Sequence, residues 1–228
     1  MKKKTSYVLL SGAMLLLTAC GSIPNTSNNT AIESIAPSAP QITETVTETP
    51  SATAEPESFP TRQNGDRFEA VIMLEGMEEP VQYEHIRNDA LGFEMDYDYE
   101  TFVRHSEADR ERFILAWDKD PANPEYYLEV ACSQADAETV AAAISEALSN
   151  DYEINRGSIE LERAGNCIRI GASEVKGGGY TADQMQMVYI IPADDGCRIA
   201  AAHYGADSSD LFGARFRAMV NTLSVLAR

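Results

Sequence analysis

From Asn64 to the C-terminus the apolar residues come in short runs at every second position, cut by Gly, Pro, Asn and Asp. The stretch "LGFEMDYDYETF", Leu91 to Phe102, is the clearest case: Phe93, Met95, Tyr97 and Tyr99 alternate with Glu94, Asp96, Asp98 and Glu100. A strand turns successive side chains to opposite faces, so this period specifies strands with one face in a core. "RFEAVIMLEGMEEPVQYEHI" reads as two strands joined at Gly76 to Glu79, and "ERFILAW" and "YYLEVACS" pair across the loop "DKDPANPE". Later, "IELER", "NCIRIGASEV", "QMQMVYIIP" and "CRIAAAHY" are separated by "AGN", "KGGGYTAD" and "ADDG", the spacing of an antiparallel meander.

The period changes twice. From Asp136, Val140, Ile144 and Leu148 recur every four residues among alanines, which predicts an amphipathic helix ending near Asn150. After Asp207 and Ser208, candidate N-caps, Leu211, Phe212, Phe216, Met219, Val220 and Leu223 make the apolar face of a second helix. Strands, helix, strands, helix predict an α+β fold for residues 64–228, with a mostly antiparallel sheet and two packed helices.

What precedes that domain cannot join its core. Residues 1–19 read as a secretory signal: lysines, an apolar run from Tyr7 to Leu17, then small residues before Cys20. The run is shorter than the roughly 20 apolar residues that cross a bilayer. Leu17-Thr18-Ala19-Cys20 resembles the lipobox of bacterial lipoproteins, which implies cleavage after Ala19 and diacylglycerol on the Cys20 thiol. Acyl chains there would hold the protein on the extracytoplasmic face of the cell membrane. Residues 20–63 are then the lipidated cysteine and a tether rich in Ser, Thr, Pro and Glu, with Phe59 its one aromatic. Such a composition buries too little apolar surface to offset its ordering entropy and spans roughly 35–40 Å as a coil.

Charge excludes a class of partner. The chain carries −18, and loss of the signal, with lysines and no acids, makes it more negative. An acidic surface is repelled by nucleic acid, and there is no basic run to override that.

Three stretches of the domain resemble the PsbP-like proteins: "GFEMDYDYETF", "IRIGASE" before a glycine-rich turn, and "MVNTLSVL". That family includes photosystem accessory proteins, a nuclear-import factor that binds the Ran GTPase, and many small bacterial lipoproteins. The resemblance implies one PsbP-like domain over most of residues 64–228. Asp98, Phe102 and Thr222-Leu223 depart from the family pattern, and a cystatin-like or nuclear-transport-factor-like fold is the alternative.

The fold does not supply a function, so individual residues must. Beyond Cys20, the cysteines Cys132, Cys167 and Cys197 have no C-x-x-C spacing and read as buried free thiols, with Cys167 and Cys197 the pair that could bridge. His85, His105 and His203 have no second histidine at helical spacing and no adjacent nucleophile. Gly177 to Gly179 join two strands rather than opening a helix, so they are a turn and no phosphate cradle. Asp194 and Asp195 read as a hairpin turn.

The row of acids is a candidate metal site only at Asp96 and Asp98. Residues two apart on a flat strand are roughly 6.5–7 Å apart, so they would share an ion only if the strand bent between them. A solvated face is the simpler reading. No cofactor is implied. Two functions remain: a surface-tethered, non-catalytic binding or accessory module for an envelope protein, or a secreted small-ligand carrier or enzyme. The latter's cleft would draw on Tyr97, Tyr126, Tyr127, Tyr180, Tyr189 and Tyr204 with His203.

Overall fold

A computed structural model describes residues 59–174 and 184–227. The signal segment, Cys20, the tether up to residue 58, the glycines at 177–179 and Tyr180 lie outside the described residues. Strands β1 (Arg67–Leu74) and β2 (Met77–Asn88) form a hairpin whose turn is Glu75-Gly76, both with positive φ (51° and 79°). That two-residue geometry matches the twist of paired strands, and glycine suits the second position. The turn is thus tighter than the expected Gly76 to Glu79, and Glu78 and Glu79 belong to β2.

Strand β3 (Phe93–Asp98) pairs with β2, and the short β11 (Ser224–Val225) pairs with β3, giving a four-stranded sheet of order β1-β2-β3-β11. The second sheet has seven strands in the order β4-β5-β6-β10-β9-β8-β7. They are β4 (Phe102–Ser106), β5 (Arg110–Leu115), β6 (Tyr127–Ser133), β7 (Tyr152–Leu161), β8 (Gly165–Glu174), β9 (Gln184–Ala193) and β10 (Gly196–Gly205). Strands β7 to β10 are the expected meander, and β10 then pairs with β6 to join it to the earlier hairpins. That join is tight at Gly196: φ is 128°, and a Cβ there would sit 2.0 Å from the Ser133 carbonyl oxygen.

The first helix, α1 (Ala137–Leu148), starts where expected. Asp136 caps it by accepting from the Thr139 amide at 2.9 Å. Its buried Val140, Ala141, Ile144 and Leu148 pack on Ile170, Val188, Ile190 and Ile199, one face of the seven-stranded sheet. Alternate residues of the same strands, among them Leu128, Val130, Tyr189, Ala200 and Tyr204, turn the other way. They meet Phe93, Met95 and Phe113 between the two sheets, each burial contributing about 1.5–3 kcal/mol.

The second helix is shorter than its pattern. After β10 the chain makes a 3₁₀ turn (Ala206–Ser208) and a π turn (Ser209–Gly213) before α2 (Ala214–Asn221). Asp207 and Ser208 therefore do not cap it, and Leu211 is exposed rather than part of its buried face. At the end of the wide turn Gly213 lies against the Tyr204 ring, where a Cβ would come within 3.1 Å. Phe216, Met219, Val220 and Leu223 are buried as the pattern requires.

Two buried charges tie the layers. Glu111, 1% exposed, accepts from Asn88, Arg104 and Ser106. Arg198 donates to the Gly92 carbonyl (3.0 Å) and pairs with Asp195. Among the described residues no helix is long and apolar enough to cross a membrane.

Candidate functional site

The acids of β3 are not a wet face. Asp96 is 2% and Asp98 3% exposed, because β3 carries neighbours on both faces: Met95 and Tyr97 in the inter-sheet core, α2 and the β2 residues on the other. Pairing puts His85 beside Asp96 and Tyr83 beside Asp98. His85 Nδ1 lies 2.6 Å from Asp96 Oδ1, and Arg163 and Arg62 approach Oδ2 at 3.4 and 3.5 Å. Arg215, from α2, donates to Asp98 Oδ2 at 2.6 Å and also pairs with Glu79. The Asp96 backbone amide donates to Thr222 Oγ1 at 2.8 Å.

These partners give the two carboxylates the positive charge that burial demands. Among the described residues no group of three or more His, Cys, Asp or Glu side chains is arranged to hold a metal ion. An aspartate–histidine pair is also the back half of a catalytic triad, so the other ring nitrogen decides its chemistry. His85 Nε2 faces the Glu94 carboxylate at 3.9 Å, not a hydroxyl or thiol. Among the described residues no hydroxyl or thiol is hydrogen-bonded to that second nitrogen.

The remaining expected residues scatter. His203 lies flat on Tyr127 (centroids 4.3 Å apart, planes at 11°) on the α1 side of the seven-stranded sheet. Its desolvation, helped by Arg112, lowers its pKa to about 4. His105 is exposed on β4. Cys132, Cys167 and Cys197 are free thiols. Cys167 lines the inter-sheet core and Cys197 packs under α1, so strand alternation and the intervening β9 separate the pair that the sequence left open. Burial pushes each of those two thiols up to about 11, away from reactive thiolate. Asp194 and Asp195 form the β9–β10 turn. Tyr97 contacts Phe113, and Tyr126 contacts Phe212 and reaches Ser208, so the tyrosines do not converge as one set.

One subset does converge, on the inter-sheet side of β8 to β10 next to α2. Arg169 stands opposite Tyr189 in the β8–β9 register, with Gly157 on its other flank in β7. Tyr204 follows on β10, opposite Met185. Arg169 acts electrostatically on both phenols, and Arg217, exposed on α2, acts on Tyr189. Burial, with Tyr204 adding to it, pushes the Tyr189 hydroxyl up to about 12 despite those cations.

Every other arginine among the described residues has a carboxylate within ion-pair distance; Arg169 and Arg217 have none. Arg169 Nε is buried with no hydrogen-bond partner. Tyr189 and Tyr204 are 3% and 4% exposed, and neither hydroxyl has a hydrogen-bond partner among the described residues. Buried polar groups are ordinarily satisfied, and among the described residues Arg169 Nε is the one buried side-chain donor of this strip without a partner, next to two phenols that make no hydrogen bond there. Met185 and Met187 lie half-buried along it, and space is open above Gly157. Sequence reading singled out Tyr189 and Tyr204 but missed Arg169 and Arg217, because what distinguishes them is the carboxylates they lack.

A separate cleft of about 560 Å³ opens between the start of α1 and strands β7 and β8, lined by Ser158, Asn166, Ile168 and Pro192 and bridged by the Arg156–Glu138 ion pair.

No family model matches the chain, and no curated protein matches it. Among solved structures it is similar to the solution structure of cyanobacterial PsbP (CyanoP) from Synechocystis sp. PCC 6803. The TM-score is 0.45 and identity 12%, over 63% of this chain and 92% of that one. It is also similar to a crystal structure from Bacteroides thetaiotaomicron VPI-5482, with a TM-score of 0.37 and identity of 10%, over 60% of this chain and 46% of that one. At such identities a likeness concerns the chain path alone.

Proposed function

We propose that this chain is a lipid-anchored, extracytoplasmic binding module, held at Cys20 on the outer side of the cell membrane and non-catalytic. The order of lysines, short apolar run, Ala19 and Cys20 carries the anchoring part of this reading. The Ser/Thr/Pro-rich stretch ahead of Arg62, whose guanidinium already reaches Asp96 in the domain, serves as the leash between lipid and domain. A histidine–aspartate pair that faces another carboxylate supports a structural role for the one constellation that resembles catalytic machinery.

Palmitate labelling in cells tests the anchor. The wild-type chain incorporates label and partitions with membranes, while Cys20→Ser remains unlabelled and is released by detergent-free buffer. An unlabelled wild type would remove the reading. Crosslinking on intact cells should capture an envelope protein neighbour if the module acts through a partner protein.

A second reading, a small-ligand carrier, is favoured by the buried, unpartnered Nε of Arg169 opposite Tyr189 on the sheet. Both readings share the anchor and differ in what the domain holds.

A further inference from the structure

We propose that the strip between α2 and strands β7 to β10 binds a small anionic ligand: its oxyanion head, carboxylate or phosphate, is received by Arg169 and Arg217, and its apolar body lies along Met185 and Met187. This rests on the carrier form of the reading above and names the chemistry of what is carried.

The charge pattern sets the sign of the ligand. In a chain of net charge −18, positive charge is scarce, and ten arginines' worth of neighbouring carboxylates surround the rest of the domain. Leaving two guanidiniums unpaired on one strip therefore concentrates positive potential at a single place. Their planar forks match an oxyanion in two-point hydrogen bonds, the geometry that distinguishes arginine from lysine.

The donors set the depth of the head group. Arg169 sits on β8, paired on both sides, with its Nε already out of water, so a ligand oxygen there makes a hydrogen bond that nothing else among the described residues supplies. Tyr189, directly across from it, holds its proton far above neutral pH and can donate. Arg217 is exposed on α2, within electrostatic reach of Tyr189. The floor sets the body of the ligand: Met187 rests against Gly171, with its Cε 3.6 Å from where a Cβ would be, and Met185 is next along the strand. Methionines form a deformable apolar surface suited to a flexible chain.

Titration calorimetry on the full-length protein with octanoate, octyl phosphate, inorganic phosphate and octanol tests this. Octanoate or octyl phosphate should bind, and octanol should not. Binding of one head group but not the other identifies it, and inorganic phosphate measures the head group alone. Arg169→Gln should weaken binding about 10- to 100-fold, the loss of a charge-assisted hydrogen bond. Arg217→Ala, at an exposed position, should weaken it about threefold. Arg156→Gln, across the sheet, should leave it unchanged. Circular dichroism melts establish that each variant is folded, and Arg217→Ala, whose side chain is exposed, provides a second route. No heat with either charged amphiphile, or equal affinity in wild type and both strip variants, would overturn the proposal. A silent titration leaves palmitate labelling at Cys20 untouched, and failed labelling leaves the titration untouched, so the two failures are distinct.

Discussion

Two clusters of charge flank α2, and they are built oppositely. On the four-stranded sheet, Asp96 and Asp98 are wrapped by His85, Arg62, Arg163 and Arg215, so each acid removed from water has cationic partners. On the seven-stranded sheet, Arg169, opposite Tyr189, has its Nε out of water with no carboxylate or hydrogen-bond partner among the described residues, and Arg217, within electrostatic reach of Tyr189, also lacks a carboxylate. The same short helix contributes to both, Arg215 to one and Arg217 to the other. A compensated cluster holds layers together, whereas an uncompensated one costs stability and persists where something else completes it. Structural importance and functional availability are thus separated by two residues on a helix.

The comparison breaks most visibly if the compensated side is cut. Asp96→Ala leaves His85, Arg62 and Arg163 without their shared partner, and breaking a buried pair from one side costs about 3–5 kcal/mol. For a domain of this size that lowers the melting temperature by about 10 °C. Urea unfolding at pH 7 measures it, and a change below about 1 kcal/mol would mean that the network is incidental to stability.

Acid should loosen the fold through a group outside both clusters. His203 takes its proton at about 4 in the folded chain and near 6.5 when unfolded. Between those values the unfolded chain binds the extra proton, so stability falls as pH drops from about 6.5 towards 4. The size is about 2–3 kcal/mol across that window, and His203→Gln should flatten the slope. Glu111 extends the effect to lower pH. Burial opposes its charge, but hydrogen bonds from Arg104, Ser106 and Asn88 outweigh this and hold its carboxyl below the usual range. Its contribution is present above the ordinary carboxylate range and lost as pH falls through the depressed value. Unfolding followed from pH 7 to about pH 2 in both proteins separates the two groups, since the His203 loss lies above about pH 4 and the Glu111 loss below the ordinary carboxylate range.

Period and punctuation made most of the architecture legible. The meander from β7 to β10, the start of α1 after Asp136 and the buried face of α2 follow from spacing alone, because each depends on residues near one another in sequence. The failures share a different cause. Strand β4, the wide turn before Ala214 and the burial of Asp96 and Asp98 depend on what is packed against a segment, and alternation cannot say whether a polar face meets water or an arginine from a distant helix. The row in "LGFEMDYDYETF" has the pattern of a half-exposed strand. Its acids are buried because α2, more than a hundred residues later, delivers Arg215 and Thr222 to them. Arg169 and Arg217 were illegible for the complementary reason: an arginine with no partner looks in sequence like any other.

The smallest expected effect is the sharpest measure of the contrast, because its sign is unusual. Arg169→Met replaces an unpaired, half-buried guanidinium with an apolar chain of similar length, next to Met187 and Tyr189. Where a charge is compensated, its removal destabilises; where it is not, removal relieves desolvation and adds apolar contact. The variant should therefore match or exceed the wild type by about 0.5–1 kcal/mol in urea unfolding without ligand. With octyl phosphate or octanoate present the order should reverse, since a ligand stabilises only the protein that binds it. A loss of about 2 kcal/mol or more in the ligand-free protein would show Arg169 to be a structural cation like Arg163, and the two sides of α2 would no longer differ in kind.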